Sequence, residues 1–262
     1  MKRVMTIGGS DCSGGAGIQA DIKTFSARGV YGTSVITAIT AQNSYGVHAK
    51  REVPAELVEA QIASIMHDRG VDYAKTGMLY SATIINVVAK ELKRCEIPFV
   101  LDPVIKAGSG GILLVDSALK PLVELLMPIC AVVTPNVPEA SVISGITIRT
   151  KEDAKEAAVT MHRSGASAVI LKGGHLELET AAGNATDLIY DGEFEELSST
   201  YIKRAKGSIV HGAGCSFSAA LAAELAKGKN LRDAASSAKK FVHDAIAGGE
   251  VVSRSIVVDQ TH

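Results

Sequence analysis

An α/β fold with a mainly parallel central sheet and helices on both faces is what this 262-residue sequence predicts. Three observations carry that expectation. Short apolar, β-branched runs alternate with helical periodicities from end to end, as in strand–helix–strand units. No Pro-, Ser- or Gln-rich tract, charge block or fixed-period repeat interrupts them, so residues 1–262 read as one domain. Polar or glycine-rich residues follow one apolar run after another, at the strand ends where open sheets of this kind bind ligands.

The elements follow in order. Residues 4–7 form a short buried strand stopped by Gly8 and Gly9, and 16–28 a helix ended by Gly29. The β-branched stretch 31–40 is a strand. Residues 54–69 are a helix, with Pro54 in its first turn and apolar residues at Leu57, Val58, Ile62, Ile65 and Met66. A strand over 73–76 and a helix over 82–94 lead to a strand over 99–101, which ends at Asp102-Pro103. Helix 117–127, strand 131–134, helix 152–164 and strand 168–171 continue the alternation. Residues 189–194 form a hairpin turn, and helices over 215–226 and 231–247 close the fold.

Composition narrows the function. Twenty-seven Lys plus Arg against 28 Asp plus Glu leave a net charge of −1, without the basic excess of a nucleic-acid binder. With no Trp, five Phe and six Tyr, a base-stacking platform is disfavoured as well. No stretch approaches the roughly 18 to 20 apolar residues of a membrane span. The five-residue apolar run near the N-terminus is too short for a secretory signal. The four cysteines at 12, 95, 130 and 215 show no C-x-x-C spacing. A cytoplasmic protein with reduced thiols is expected.

Four motifs carry chemistry. In HGAGCSFSAA, Gly212, Ala213 and Gly214 precede a helix-forming run. Such a loop presents backbone N–H groups to an anion, or simply caps the helix. It is neither G-x-G-x-x-G nor a Walker A loop. Cys215, in the first turn, is either a thiol whose pKa falls from about 8.5 toward neutrality or a small buried residue. In GGSDCSGGAGIQAD, five glycines in ten residues allow close ligand approach, and Asp21 sits one turn into the following helix. It either reaches back to a ligand or is a solvated carboxylate favoured at a helix start. In LKGGH, Lys172 meets a phosphate or extends to solvent. In TPNVPEA, Asn136 with Glu139 three residues on makes a capping box, and Glu139 also suits a hydrated Mg²⁺.

Together these segments resemble the hydroxymethylpyrimidine/phosphomethylpyrimidine kinases of thiamine biosynthesis, in the ribokinase-like superfamily. The run GGSDCSGGAGIQADIKTFSARGVYGTSVITAITAQNSYGV and the motifs KTGML, LDPV, TPNVPEA, LKGGH and HGAGCSFSAALAA carry the likeness, over residues 4 to 248. It implies a three-layer α/β/α sandwich and ATP-dependent phosphorylation of 4-amino-5-hydroxymethyl-2-methylpyrimidine, then of its monophosphate. By resemblance, Gly212, Ala213, Gly214 and Cys215 cradle the migrating phosphoryl group, and Cys215 as thiolate takes the hydroxyl proton. Gln42 and Asp21 contact the pyrimidine, whose ring lies against Gly9, Met78 and Val104. Lys172, Asn136, His211 and Ser216 serve ATP, and Asp102 and Glu139 act near magnesium through water.

Some positions depart from the family pattern. Val210 and Ala213 replace threonines common in relatives, and Lys106 stands two positions from the usual lysine of its loop. A pyridoxal or pyridoxine kinase is the alternative activity, and a non-catalytic pyrimidine-binding protein a third reading. Relatives are often homodimers, so a homodimer is expected.

Overall fold

A computed structural model of the chain describes residues 1–108, 110–174, 182–202, 209–252 and 255–260. From the N-terminus come β1 (Arg3–Asp11), α1 (Gly17–Ala27), β2 (Tyr31–Asn43), β3 (Gly46–Glu52), α2 (Ala55–Asp68), β4 (Tyr73–Thr76), α3 (Ala82–Arg94) and β5 (Phe99–Leu101). Next are β6 (Val132–Val133), α4 (Val137–Ser144), α5 (Lys151–Arg163), β7 (Val169–Leu171), β8 (Asn184–Tyr190) and β9 (Phe194–Thr200). Last are β10 (Ile209–His211), α6 (Ala213–Ala226), α7 (Leu231–Ala247), β11 (Glu250–Val252) and β12 (Ser255–Val257).

One sheet runs β3-β2-β1-β4-β5-β6-β7-β8-β9. Strands β2, β1, β4, β5, β6 and β7 are mutually parallel, and β3, β8 and β9 add antiparallel pairs at the two edges. Strand periodicity sorts the core into two layers. Met5, Ile7, Leu101, Val133, Val169 and Leu171 pack with buried residues of α2, α3 and α5. Their neighbours Val4, Val100, Val132 and Ile170 face the other way, onto Phe25 of α1, Phe217 and Leu221 of α6 and Phe241 of α7. The result is the expected three-layer α/β/α sandwich. No helix among the described residues is long and apolar enough to cross a membrane.

The structure corrects the expected elements in five places. Strand β1 is not stopped by Gly8 and Gly9 but runs through them to Asp11, absorbing them as an irregularity in its pairing with β2. Strand β2 runs on to Asn43 and turns back into β3, which periodicity missed because this edge hairpin is polar and half exposed. Residues 117–127 are not one α-helix. The stretch 116–129 is a chain of tight, regular and wide helical turns, because Pro121 and Pro128 lack the N–H that a continuous ladder needs. Helix α6 begins at Ala213, two residues before the expected start. The three-residue strands β10, β11 and β12 form a small separate sheet with too few residues for a period to register. The hairpin expected at 189–194 is the β8–β9 connection.

One buried carboxylate ties the α1–α6–α7 layer together. The Glu224 side chain is 1% exposed and takes Arg28 at 2.6 Å, Lys227 at 2.9 Å and Lys229 at 2.8 Å. Burial alone would raise its pKa, and the hydrogen bonds from Lys229, Lys227 and Arg28 outweigh that, bringing it down to about 2. A carboxyl lowered on folding contributes stability that is present above its ordinary pKa near 4.5 and is lost as pH falls toward 2. Glu224→Gln is therefore expected to cost about 2 kcal/mol at pH 7. Thermal melts should show the gap to wild type closing below about pH 4.5. A gap constant with pH would mean the cost is steric, not ionic.

Candidate active site

A cavity of about 650 Å³ opens at the carboxyl edge of the large sheet. The strand order brings the ends of β1, β4, β5, β6 and β7 side by side there. Every site residue expected from the sequence lines this cavity except Ser216. Ser216 is fully buried, and its hydroxyl accepts a hydrogen bond from Gln260 Nε2 at 3.0 Å. It lies on the inward side of α6, so the expected ATP contact is replaced by a core contact.

Gly212 starts α6. Its φ of 88° is left-handed, and a Cβ there would stand 1.9 Å from the Gly15 carbonyl oxygen, so only glycine fits. The first bond of the helix runs from the Ser216 N–H to the Gly212 carbonyl, at 2.8 Å. The N–H groups of Ala213, Gly214 and Cys215 therefore lie outside the ladder, with no side chain capping them. Helices α3, α4, α5 and α7 all start on a capping side chain. Helix α1, which also faces the cavity, starts at Gly17 uncapped.

Below this loop lies a line of alternating charges. Asp21 contacts Lys75 Nζ at 2.9 and 3.1 Å and accepts the Thr6 hydroxyl at 2.6 Å. Lys75 lies 3.9 Å from Asp102 Oδ2, and Lys172 Nζ donates to Asp102 Oδ1 at 3.0 Å. Lys75 and Asp21 are both fully buried. Burial alone would drain the Lys75 charge, and Asp21, Cys215 and Asp102 outweigh it, holding the ammonium above the ordinary lysine range. Lys172 reaches on toward the loop, 3.4 Å from where a Gly214 Cβ would be.

Asp21 therefore differs from expectation. It is not a solvated carboxylate: at the floor of the cavity it bonds to Lys75 and Thr6 and holds Lys75 in place. Lys75 itself escaped the sequence reading. The available signal was a lysine inside the four-residue strand Tyr73–Thr76, all of it buried. Asp11 was missed too, although it stands inside the glycine-rich run.

The expected fall in the Cys215 pKa is also reversed. Burial pushes this thiol up to about 11; Lys75 and the Gly17 N–H pull it down, while Asp21 and Asp102 push it further up. So raised, the sulfur keeps its proton at neutral pH.

Asn136 and Glu139 form the capping box that their spacing suggests. The Glu139 N–H donates to Asn136 Oδ1, and the Asn136 N–H to Glu139 Oε2, both at 2.9 Å. Burial raises the Glu139 pKa to about 7, with Lys172 opposing and Asp102 adding to the rise. Among the described residues no three His, Cys, Asp or Glu side chains are grouped to hold a metal. Asp102 and Glu139 as a pair fit a divalent cation, such as magnesium, that keeps most of its water.

The remaining wall is apolar. Gly9 abuts Met78, where a Cβ would stand 2.8 Å from the sulfur, and Thr37 donates to the Met78 carbonyl at 2.5 Å. Met78 packs with Ala38, Leu113 and Val104. Gln42 stands at the rim on β2, its backbone bonded both ways to the Cys12 sulfur. Its side-chain amide has no hydrogen bond among the described residues and lines the cavity. Lys106 lines the cavity as well, on an exposed loop where it bridges to Ile112. His175 of the LKGGH motif and Ser109 lie outside the described residues.

Comparison with known proteins adds the last observations. The family model described as phosphomethylpyrimidine kinase matches residues 11–258. A hydroxymethylpyrimidine/phosphomethylpyrimidine kinase of Rhizobium meliloti (strain 1021) is 46% identical over 252 residues, 94% of this chain and 91% of that protein. The structure of a Staphylococcus aureus pyridoxal kinase with ADP superposes with a TM-score of 0.90 at 36% identity, over 100% of this chain and 94% of that one. A phosphomethylpyrimidine kinase from Clostridium difficile 630 superposes with a TM-score of 0.81 at 37% identity, over 94% of this chain and 100% of that one.

Proposed function

Because the chain belongs to the phosphomethylpyrimidine kinase family, we propose that it transfers phosphoryl groups from ATP to 4-amino-5-hydroxymethyl-2-methylpyrimidine and then to the resulting monophosphate. The observation that carries this reading is the convergence, in one cavity, of the uncapped start of α6, Lys172 and the slot between Gly9, Met78 and Val104. Phosphoryl transfer asks for positioning and charge stabilisation more than for covalent chemistry. The N–H groups of Ala213, Gly214 and Cys215 would hold the migrating phosphoryl oxygens, in the manner of an oxyanion hole. Lys172, steadied by Asp102, would meet the phosphates of ATP, with His211 and Asn136 lining the same side. Magnesium, hydrated and facing Asp102 and Glu139, would neutralise phosphate charge. Cys215, in its thiolate form, would accept the hydroxyl proton while the Gln42 amide reads the ring's nitrogen and amine pattern.

Gln42→Leu is expected to raise the pyrimidine KM about tenfold with the ATP KM unchanged, since a buried polar group on the ring would lose its partner. An unaltered pyrimidine KM would remove Gln42 from the pocket.

A pyridoxal kinase is the second reading, favoured by the superposition on the Staphylococcus aureus pyridoxal kinase. Release of ADP with hydroxymethylpyrimidine, its monophosphate and pyridoxal in parallel separates the two. A clear preference for pyridoxal would overturn the first reading; tight pyrimidine binding without ADP would mark a non-catalytic binder. The same reading carries a cytoplasmic location, in keeping with four free cysteines, and a homodimer, which sedimentation would check.

A further inference from the structure

One contact joins the two glycine-rich loops across 200 positions of sequence: His211 Nε2 lies 2.9 Å from Asp11 Oδ2. Asp11 is 2% exposed and fully engaged. Its Oδ1 accepts the Ser13 N–H at 2.8 Å and the Ser13 hydroxyl at 2.7 Å, and its Oδ2 accepts the Ala16 N–H at 2.8 Å beside His211. The carboxylate thus folds residues 12–16 into a closed turn directly ahead of α1. Burial alone would raise its pKa, and His211, Ser13 and Ala16 together hold it well below the usual carboxylate range.

The imidazole is also packed on that turn. A Cβ on Gly15 would stand 2.3 Å from His211 Cδ2, so the ring rests directly on Gly15 backbone. One residue on, Gly212 meets the Gly15 carbonyl. Helices α1 and α6, both of which start without a capping side chain, leave from the two sides of this contact. Across it, the Gly17 N–H faces the Cys215 sulfur.

We propose that Asp11 and His211 are a positioning pair, which locks the start of α1 to the start of α6. The lock sets Cys215 and the N–H cradle at a fixed separation from the substrate slot beside β1 and β4. Neither side chain needs to touch the reacting atoms; each acts through the loop it holds. The inference rests on the kinase reading for its effect on turnover, and on geometry alone for its effect on Cys215. A displacement of about 1 Å between reacting groups can cost roughly 10²-fold in rate, so a lock of this kind has room to act.

Two variants test it. His211→Leu removes the donor, whereas His211→Gln keeps an amide able to donate to Asp11. His211→Leu is expected to lower kcat by roughly 10- to 100-fold with the pyrimidine KM held within about threefold, and His211→Gln to recover most of that loss. The second readout needs no substrate: alkylation of Cys215 by iodoacetamide in the ligand-free protein, followed by peptide mass spectrometry. Its rate should change by at least about threefold in His211→Leu and stay near wild type in His211→Gln. Should His211→Leu fail to fold, Asp11→Asn, which weakens the same contact, carries the same expectations. Wild-type ADP release is the reference. If the wild-type protein releases none, the kinase reading fails and alkylation alone decides the pair. Wild-type kcat in His211→Leu, equal impairment of the two variants, or one alkylation rate in all three proteins would each overturn the proposal.

Discussion

Cys215→Ala is expected to lower kcat by about 10² to 10⁴, the range for loss of a general base, while ATP binding and folding are retained. The sign of the pH dependence follows from burial. Burial pushes the thiol up to about 11, above its ordinary value of 9.0. Only the thiolate accepts a proton, so the thiolate fraction rises about tenfold per pH unit until the thiol ionises. Wild-type kcat should climb with pH above neutrality, and Cys215→Ala should be both slower and flat. A wild-type profile flat between about pH 7 and 9, or a Cys215→Ala profile that climbs in parallel, would assign the sulfur to packing. The same raised pKa affects stability. A group whose proton affinity rises on folding contributes fully below its unfolded pKa, and that contribution is lost as pH rises through about 11.

Lys75→Met is expected to cost about 3 to 5 kcal/mol of folding stability at pH 7. Asp21 is 0% exposed, and Lys75 is the cation against it. Removing the ammonium strands a buried carboxylate that keeps only the Thr6 hydroxyl, and it leaves Asp102 with Lys172 as its remaining cation. Pairing Lys75→Met with Asp21→Asn should recover more than half of the loss, because the stranded charge goes with its partner. Urea unfolding of the two single variants and the double variant measures this. A Lys75→Met cost below about 1 kcal/mol, or a double variant no better than the single, would show that the pair is not what holds the floor of the cavity.

The two expected results differ in how visible their residues are in the sequence. Cys215 stands in a motif whose local chemistry can be read directly: glycines ahead of a helix, then a thiol in the first turn. Its neighbour Ser216 looked equally available, yet one step along a helix is a rotation of about 100°. That rotation turns Ser216 into the core against Gln260. The Asn136–Glu139 capping box was legible for the opposite reason, since both its partners lie within one helical turn. Lys75 was hidden because a lysine in a strand reads as solvent-facing until the layers on both sides are in place.

The alternation of strands and helices, the turn at Gly29, the strand end at Asp102-Pro103 and the loop that starts α6 are all legible in the sequence alone. Each depends on residues a few positions apart, where propensity and periodicity act. Only the tertiary structure decided the charge order Asp21–Lys75–Asp102–Lys172 and the Asp11–His211 contact. Their partners lie between 27 positions apart, for Lys75 and Asp102, and 200 apart, for Asp11 and His211. Such groups meet only when the β1-β4-β5-β6-β7 order sets the strand ends side by side. Burial then turns that proximity into pairing, because an unmatched charge below the cavity would cost several kcal/mol.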